Sequence, residues 1–178
     1  MGRVQQLILG GARSGKSRLA ERLATESGSE VVYIATASRR DDDPEMAARI
    51  ERHQQRRPRD WRLVEEPLGL ARTLQQYQGG ERCLIVDCLT LWLSNLLLTD
   101  DAVHFEPELE ALLELLPRLQ GDLILVANEV GMGIVPMGVL SRRFQDESGW
   151  MQQRVAALVD RVVLTVAGLP MTLKGEPL

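Results

Sequence analysis

Residues 10–17 of the chain read "GGARSGKS" and match the spacing G-x-x-x-x-G-K-[ST]. Glycines at both ends let the backbone turn, so the N–H groups of Gly10, Gly11, Ala12, Arg13, Ser14 and Gly15 can converge on one anion. A helix starting near Lys16 adds the positive end of its dipole. In such a cradle Lys16 reaches the β- and γ-phosphates of a nucleotide, and the Ser17 hydroxyl is placed for Mg²⁺. A second metal-side group is expected at the end of another buried strand. "CLIVDC" (83–88) supplies it as Asp87, a carboxylate that would hold Mg²⁺ directly or through water. The chemistry these residues suit is that of a nucleoside triphosphate.

The class of chemistry is narrower than that. A GTPase switch would carry an N-K-x-D base-reading motif. The nearest stretch, "NEVG" (128–131), has neither the lysine nor the aspartate. A small chain with this loop reads as a kinase acting on a small molecule. A non-catalytic nucleotide-binding switch is the alternative from another class.

"PEMAARIERHQQRRP" (44–58) adds a residue that a simple kinase does not require. It reads as a helix, with Asp43 as cap and Pro44 at the first position. Met46, Arg49, Ile50, His53 and Arg57 fall near one face. Arg49, Arg52, Arg56 and Arg57 surround His53, and their charge favours the neutral imidazole that a nucleophile needs. From the helix alone, a surface histidine on a solvated basic helix is the plainer reading.

These groups need a scaffold, and the pattern of the chain describes one. Strands are expected at 7–9, 31–36, 61–66, 83–88, 122–128 and 161–168, and helices at 16–26, 44–57, 68–77, 90–98, 107–119 and 138–159. This alternation implies an α/β, P-loop NTPase-like fold with a mostly parallel central sheet flanked by helices. "MTLK" (171–174) follows Gly168 and Pro170 too closely for a parallel crossover, so a C-terminal antiparallel edge strand is expected. A length of 178 residues suggests a single domain over 1–178. With 44% hydrophobic and 26% charged residues, the composition is that of a globular protein. The net charge of -4 gives no basic field for nucleic acid. No apolar run approaches the roughly 20 residues of a membrane span. "MGRVQQLILGG" lacks the features of a signal peptide, and a cytoplasmic location is expected. Cys83 and Cys88 read as reduced core thiols.

"GGARSGKS", "VYIATA", "ARIERHQQRRP", "LIVDCLTLWLSNLL", "NEVGMGIVP" and "RRFQDESG" occur in that order. Together they resemble the bifunctional adenosylcobinamide kinase / adenosylcobinamide-phosphate guanylyltransferase family of cobalamin biosynthesis, over about residues 7–174. The resemblance implies phosphorylation of adenosylcobinamide by ATP or GTP. It further implies transfer of GMP from GTP to adenosylcobinamide phosphate through a GMP–histidine intermediate, giving adenosylcobinamide-GDP. The family histidine falls on His53. Its nucleotide contacts fall on Gly10 to Ser17, on Ala35, Thr36 and Ala37, on Gln54, Gln55, Arg56 and Arg57, and on Glu65 and Asp87. Ser17 and Asp87 would be the Mg²⁺ ligands, and a homo-oligomer, a trimer, is implied. "NEVGMGIVP" reads as a substrate-side loop. Within it Glu129 is a possible base for the kinase step, and a structural turn accounts equally well for its glycines. One departure is visible: relatives carry Asn-Gln after "ESG", where this chain has Gln152-Gln153.

Overall fold

A computed structural model describes residues 3–37, 58, 60–99 and 105–178. His53, Gln54, Gln55, Arg56 and Arg57, with the helix expected over 44–57, lie outside the described residues. In chain order the described elements are β1 (Gln5–Gly10), α1 (Lys16–Glu26), β2 (Glu30–Ala35), β3 (Arg62–Glu65), α2 (Leu70–Tyr77) and β4 (Arg82–Asp87). They continue as α3 (Leu89–Leu98), α4 (Phe105–Leu115), β5 (Asp122–Asn128), α5 (Val139–Leu158), β6 (Arg161–Val166) and β7 (Leu169–Lys174). The strands form one sheet in the order β3-β2-β4-β5-β1-β6-β7. Every pairing is parallel except β6 with β7. The α/β architecture and the antiparallel final strand are those the sequence predicts.

The apolar runs are continuous because both faces of the sheet are covered. On β5, Leu123, Leu125 and Ala127 pack into one core cluster, while Ile124 and Val126 pack into another. The first cluster is completed by α2, α3, α4 and α5, through residues such as Leu74, Trp92, Leu112 and Val155. The second is completed by α1, through Leu19, Ala20 and Ala24. Helix α3 is apolar nearly all round because it is buried within the first layer. Its Trp92 indole N–H still finds an acceptor, the Leu68 carbonyl, at 2.7 Å.

Element ends differ from expectation where a local side chain intervenes. Helix α2 starts at Leu70 rather than 68. The Glu66 carboxylate accepts the N–H groups of Leu68 and Gly69 at 3.0 and 2.8 Å, and those residues stay outside the helix. Helix α4 ends at Leu115, followed by a 3₁₀ turn over Leu116–Arg118 that contains Pro117. Strand β6 stops at Val166, because Ala167 (φ 52°) and Gly168 (φ 80°) make a left-handed turn into β7. Strand β7 begins at Leu169 and accepts Pro170 because it lies at the sheet edge.

Candidate active site

The loop between β1 and α1 is closed on itself and braced by its neighbours. Ser14 N–H donates to the Gly11 carbonyl at 3.3 Å, and the Ser14 carbonyl accepts Gly168 N–H at 2.8 Å. On the other side Glu129 N–H donates to the Gly10 carbonyl at 3.0 Å. Two glycines are forced by this geometry. A Cβ on Gly10 would collide with Ser14 Oγ and lie 2.7 Å from the Thr165 carbonyl oxygen. Gly15 precedes the helix with φ 99°, and a Cβ there would lie 3.1 Å from Gly168 Cα. Gly11, by contrast, has nothing near its missing Cβ.

Lys16 and Ser17 occupy the first turn of α1, and no acidic residue shares that turn. The positive end of the helix dipole is therefore unopposed on its own helix, as suits an anion. Lys16 is buried, and its Nζ donates to the Gly11 carbonyl at 3.0 Å. The ammonium group is thus folded back over the cradle, within reach of an anion seated there.

The strand register brings three of the other predicted residues together. Ala35 pairs with Glu65 on one side and with Asp87 on the other. Asp87 pairs in turn with Val126 of β5, whose end is in register with Gly10 of the loop. Glu65, Ala35, Asp87 and the phosphate loop therefore share the carboxyl-terminal edge of the sheet, where open α/β sheets bind ligands. Asp87 is half-buried, and Tyr33 Oη donates to its Oδ2 at 2.7 Å.

Thr36 has a distinct position. It is fully buried; its hydroxyl donates to the Cys88 carbonyl at 2.7 Å and accepts Cys88 N–H at 2.9 Å. Its own N–H donates to the Asp87 carbonyl at 3.3 Å, and its carbonyl accepts from Asn95 Nδ2 at 2.7 Å. Thr36 clamps the end of β2 to the end of β4, with half-buried Ala35 and Ala37 on either side of it. Both thiols are free and buried. Burial first, then the Asp87 charge, pushes Cys88 up to about 11, with Lys16 acting in the opposite sense. Burial, then Asp122, pushes Cys83 up to about 12, so both stay protonated at neutral pH. Among the described residues, no group of three or more His, Cys, Asp or Glu gathers as a metal cage.

Beyond β5, polar side chains hold the backbone of residues 128–137. Both Glu129 carboxylate oxygens are engaged: Oε1 accepts Gly131 N–H at 2.7 Å and Oε2 accepts Met132 N–H at 3.1 Å. From α5, Gln145 donates to the Val130 carbonyl at 3.2 Å, and Arg142 donates to the carbonyls of Pro136 and Met137. Gln152, the residue that departs from the family pattern, donates to the Asn128 carbonyl at 2.8 Å and to Ser148 Oγ at 3.2 Å. The position thus keeps an amide donor, and Gln153 points to solvent. The side chains of Met132, Ile134, Val135 and Met137 are exposed; Ile134 and Met137 are 96% and 95% exposed. Glu129 is therefore the staple of its own turn.

Sequence reasoning missed Tyr33, Asn95, Thr90 (whose Oγ1 accepts Asn128 N–H at 2.6 Å) and the α5 glutamines as parts of this edge. Tyr33 lies within "VYIATA", but nothing in one strand tells which residue of another its hydroxyl will meet.

Comparison with known proteins agrees with this picture. The family model described as "Cobinamide kinase / cobinamide phosphate guanyltransferase" matches residues 6–173. The bifunctional adenosylcobalamin biosynthesis protein CobP of Pseudomonas aeruginosa is 61% identical over 175 residues, covering 98% of this chain and 100% of that protein. The bifunctional adenosylcobalamin biosynthesis protein CobU of Escherichia coli K12 is 39% identical, covering 94% of this chain and 98% of its own. Among solved structures, PH0250 of Pyrococcus horikoshii superposes with a TM-score of 0.56 at 10% identity, covering 99% of this chain and 89% of that one. A prototypical ATPase of a bacterial type III secretion system gives 0.55 at 11% identity, covering 95% and 56%. At such identities these two likenesses speak for the fold alone. The match along nearly the whole chain establishes that the chain belongs to the cobinamide kinase / cobinamide phosphate guanyltransferase family.

Proposed function

We propose that the chain catalyses two successive transfers onto one corrinoid, adenosylcobinamide. In the first, the aminopropanol hydroxyl of adenosylcobinamide attacks the γ-phosphorus of ATP or GTP. The bond to the β–γ bridging oxygen breaks, and the nucleoside diphosphate leaves. In the second, a neutral imidazole nitrogen of His53 attacks the α-phosphorus of GTP and pyrophosphate leaves. The phosphate of adenosylcobinamide phosphate then takes GMP from His53, giving adenosylcobinamide-GDP. The observation that carries this reading is the closed cradle of Gly10–Ser17, with Lys16 folded over it and Asp87 on the same sheet edge.

The roles follow from chemistry. The loop N–H groups and Lys16 hold and neutralise the transferred phosphates. The Ser17 hydroxyl and the Asp87 carboxylate are hard oxygen donors of the kind Mg²⁺ takes, alongside phosphate oxygens and water. Bound there, Mg²⁺ would neutralise charge on the phosphates. Ala35, Ala37 and Glu65 line the edge next to Asp87 and are assigned to the nucleotide. His53 belongs to the segment between Ala37 and Pro58, whose flanks meet this edge: Ala37 follows Thr36, and Trp61 stacks on Tyr33 with ring centroids 6.5 Å apart. Gln54, Gln55, Arg56 and Arg57 are assigned with it to the nucleotide phosphates.

The apolar side chains of residues 132–137 are assigned to the corrinoid, because that loop starts at the Gly10 carbonyl and its backbone is held from behind. The exposed Leu169, Met171 and Leu173 of the edge strand β7 are assigned to contacts in a homo-oligomer, a trimer by family resemblance. Among the described residues no helix is long and apolar enough to cross a membrane.

A mass spectrum of the protein after incubation with GTP and Mg²⁺ tests the reading. A covalent GMP adduct is expected on wild type and absent from His53→Ala, which keeps its kinase activity. The adduct should be lost in acid and kept in base, as a phosphoramidate is. An adduct that survives in His53→Ala removes His53 as nucleophile, and no adduct on wild type leaves a plain kinase.

A further inference from the structure

Tyr33 lies on the same sheet face as α1, and its register partner on β4 is Ile85. Two residues beyond Ile85 on that strand is Asp87, on the same face. At about 3.3 Å per residue the carboxylate is roughly 6.6 Å further along the sheet. A phenol laid along the sheet spans that gap; a serine or threonine hydroxyl at position 33 would not. The tyrosine does so, with its hydroxyl donating to Asp87 Oδ2 at 2.7 Å. The ring is only 2% exposed and is stacked on Trp61 at an interplanar angle of 27°. A hydrogen bond from a buried neutral donor to a carboxylate is short and strong, and it fixes the plane of the acceptor.

We propose that Tyr33 is a positioning residue: it sets the rotation of the Asp87 carboxylate toward the cation and phosphates of a bound nucleotide, with Trp61 bracing the ring. This rests on Asp87 as the metal-side carboxylate. The bond to Oδ2 fixes the plane of the carboxylate, which would otherwise sample the rotations open to an aspartate at a strand end. Because Trp61 closes the segment that carries His53, the same stack also ties the start of β3 to the metal side of the site.

The test uses the full chain and Mn²⁺ as probe. Mn²⁺ affinity is measured by electron paramagnetic resonance in the presence of saturating non-hydrolysable GTP analogue, for wild type, Tyr33→Phe, Asp87→Asn and the double variant. Nucleotide affinity in EDTA and thermal melting are recorded alongside. Tyr33→Phe is expected to weaken Mn²⁺ binding about three- to tenfold, part of the worth of one charge-assisted bond, because the metal feels the lost bond only through the carboxylate it orients. Metal-free nucleotide affinity should hold, and excess Mg²⁺ should restore turnover. In the Asp87→Asn background the same change should add nothing. A folded Tyr33→Phe with wild-type Mn²⁺ affinity overturns the proposal, as does equal weakening in the Asp87→Asn background. If Asp87→Asn itself binds Mn²⁺ like wild type, the metal-side reading falls too; that outcome is distinct from a silent Tyr33→Phe beside an impaired Asp87→Asn. Should Tyr33→Phe fail to fold, 3-fluorotyrosine can be incorporated into Tyr77→Phe, where Tyr33 is the remaining one of two tyrosines. The more acidic phenol should shift Mn²⁺ affinity, and an unchanged value overturns the proposal.

Discussion

The two halves of the sheet edge are built by different means. The loop Gly10–Ser17 is local chain: eight consecutive residues, two of them packing-constrained glycines and one a lysine folded back onto the Gly11 carbonyl. The β2–β4 half is made of side chains from distant parts of the chain. Tyr33 reaches Asp87, Thr36 grips Cys88, and Asn95 holds the Thr36 carbonyl, across sequence separations of 54, 52 and 59 residues. The first kind of site is set by local conformation. The second exists only once the sheet has registered. Substitutions should therefore fail differently on the two sides: function first in the loop, stability first at the clamp.

Lys16→Ala should give the largest effect. It removes the ammonium group folded back over the loop and leaves the loop backbone standing. Both transfers are expected to slow by on the order of a thousandfold, with thermal melting little changed. One activity surviving within a few-fold of wild type would mean that the two reactions do not share this loop.

Gly10→Ala should come next, and it should break the cradle itself. The added Cβ meets Ser14 Oγ and the Thr165 carbonyl, and the second is backbone that cannot step aside. A cost of about 1–3 kcal/mol is expected, together with loss of the melting shift that GTP gives the wild type. Retention of that shift would show a loop more pliable than its packing implies. Gly11→Ala is the control, since nothing stands near its missing Cβ.

This contrast also explains what could be read beforehand. Gly10–Ser17 was legible because its contacts are close in sequence, and Asp87 because a carboxylate ends a buried apolar run. The alternation of Leu123, Ile124 and Leu125 between two cores made β5 legible as a strand covered on both faces. Family resemblance places Thr36 at the nucleotide by its position in "VYIATA". That its hydroxyl is spent on Cys88 depends on β2 lying beside β4, a pairing that no single segment encodes. The staple made by Glu129 is local, yet a carboxylate beside a catalytic loop suits a base or a turn equally well until its hydrogen bonds are known.

Thr36→Val sharpens the comparison from the clamp side. Valine keeps the volume and removes the hydroxyl, which leaves Cys88 N–H buried without its acceptor. The expected loss is about 2 kcal/mol, a fall of roughly 4–8 °C in Tm for a chain of this size. Nucleotide affinity below the transition should stay within about threefold, since the hydroxyl faces Cys88. A tenfold loss of affinity with an unchanged Tm would instead make Thr36 a direct nucleotide contact.

Glu129→Gln should give the smallest effect, and it decides between the two readings of that residue. Glutamine keeps one oxygen, enough to accept Gly131 N–H, but turns an N–H₂ toward Met132 N–H in place of the second acceptor. For a staple the cost is about one hydrogen bond, roughly 1 kcal/mol, felt in the order of residues 129–132. The kinase kcat should stay within about threefold, and KM for the corrinoid should rise more than KM for the nucleotide, because the loop adjoins the exposed Met132–Met137 surface. A general base behaves otherwise. Removing its proton affinity would lower kcat by about a hundredfold or more and erase the acid limb of the pH–rate profile, with Tm intact. Both oxygens of Glu129 already accept backbone N–H groups at 2.7 and 3.1 Å, which turns the carboxylate inward onto its own turn. The staple is therefore the expected answer, and the pH profile of Glu129→Gln should overlay that of wild type.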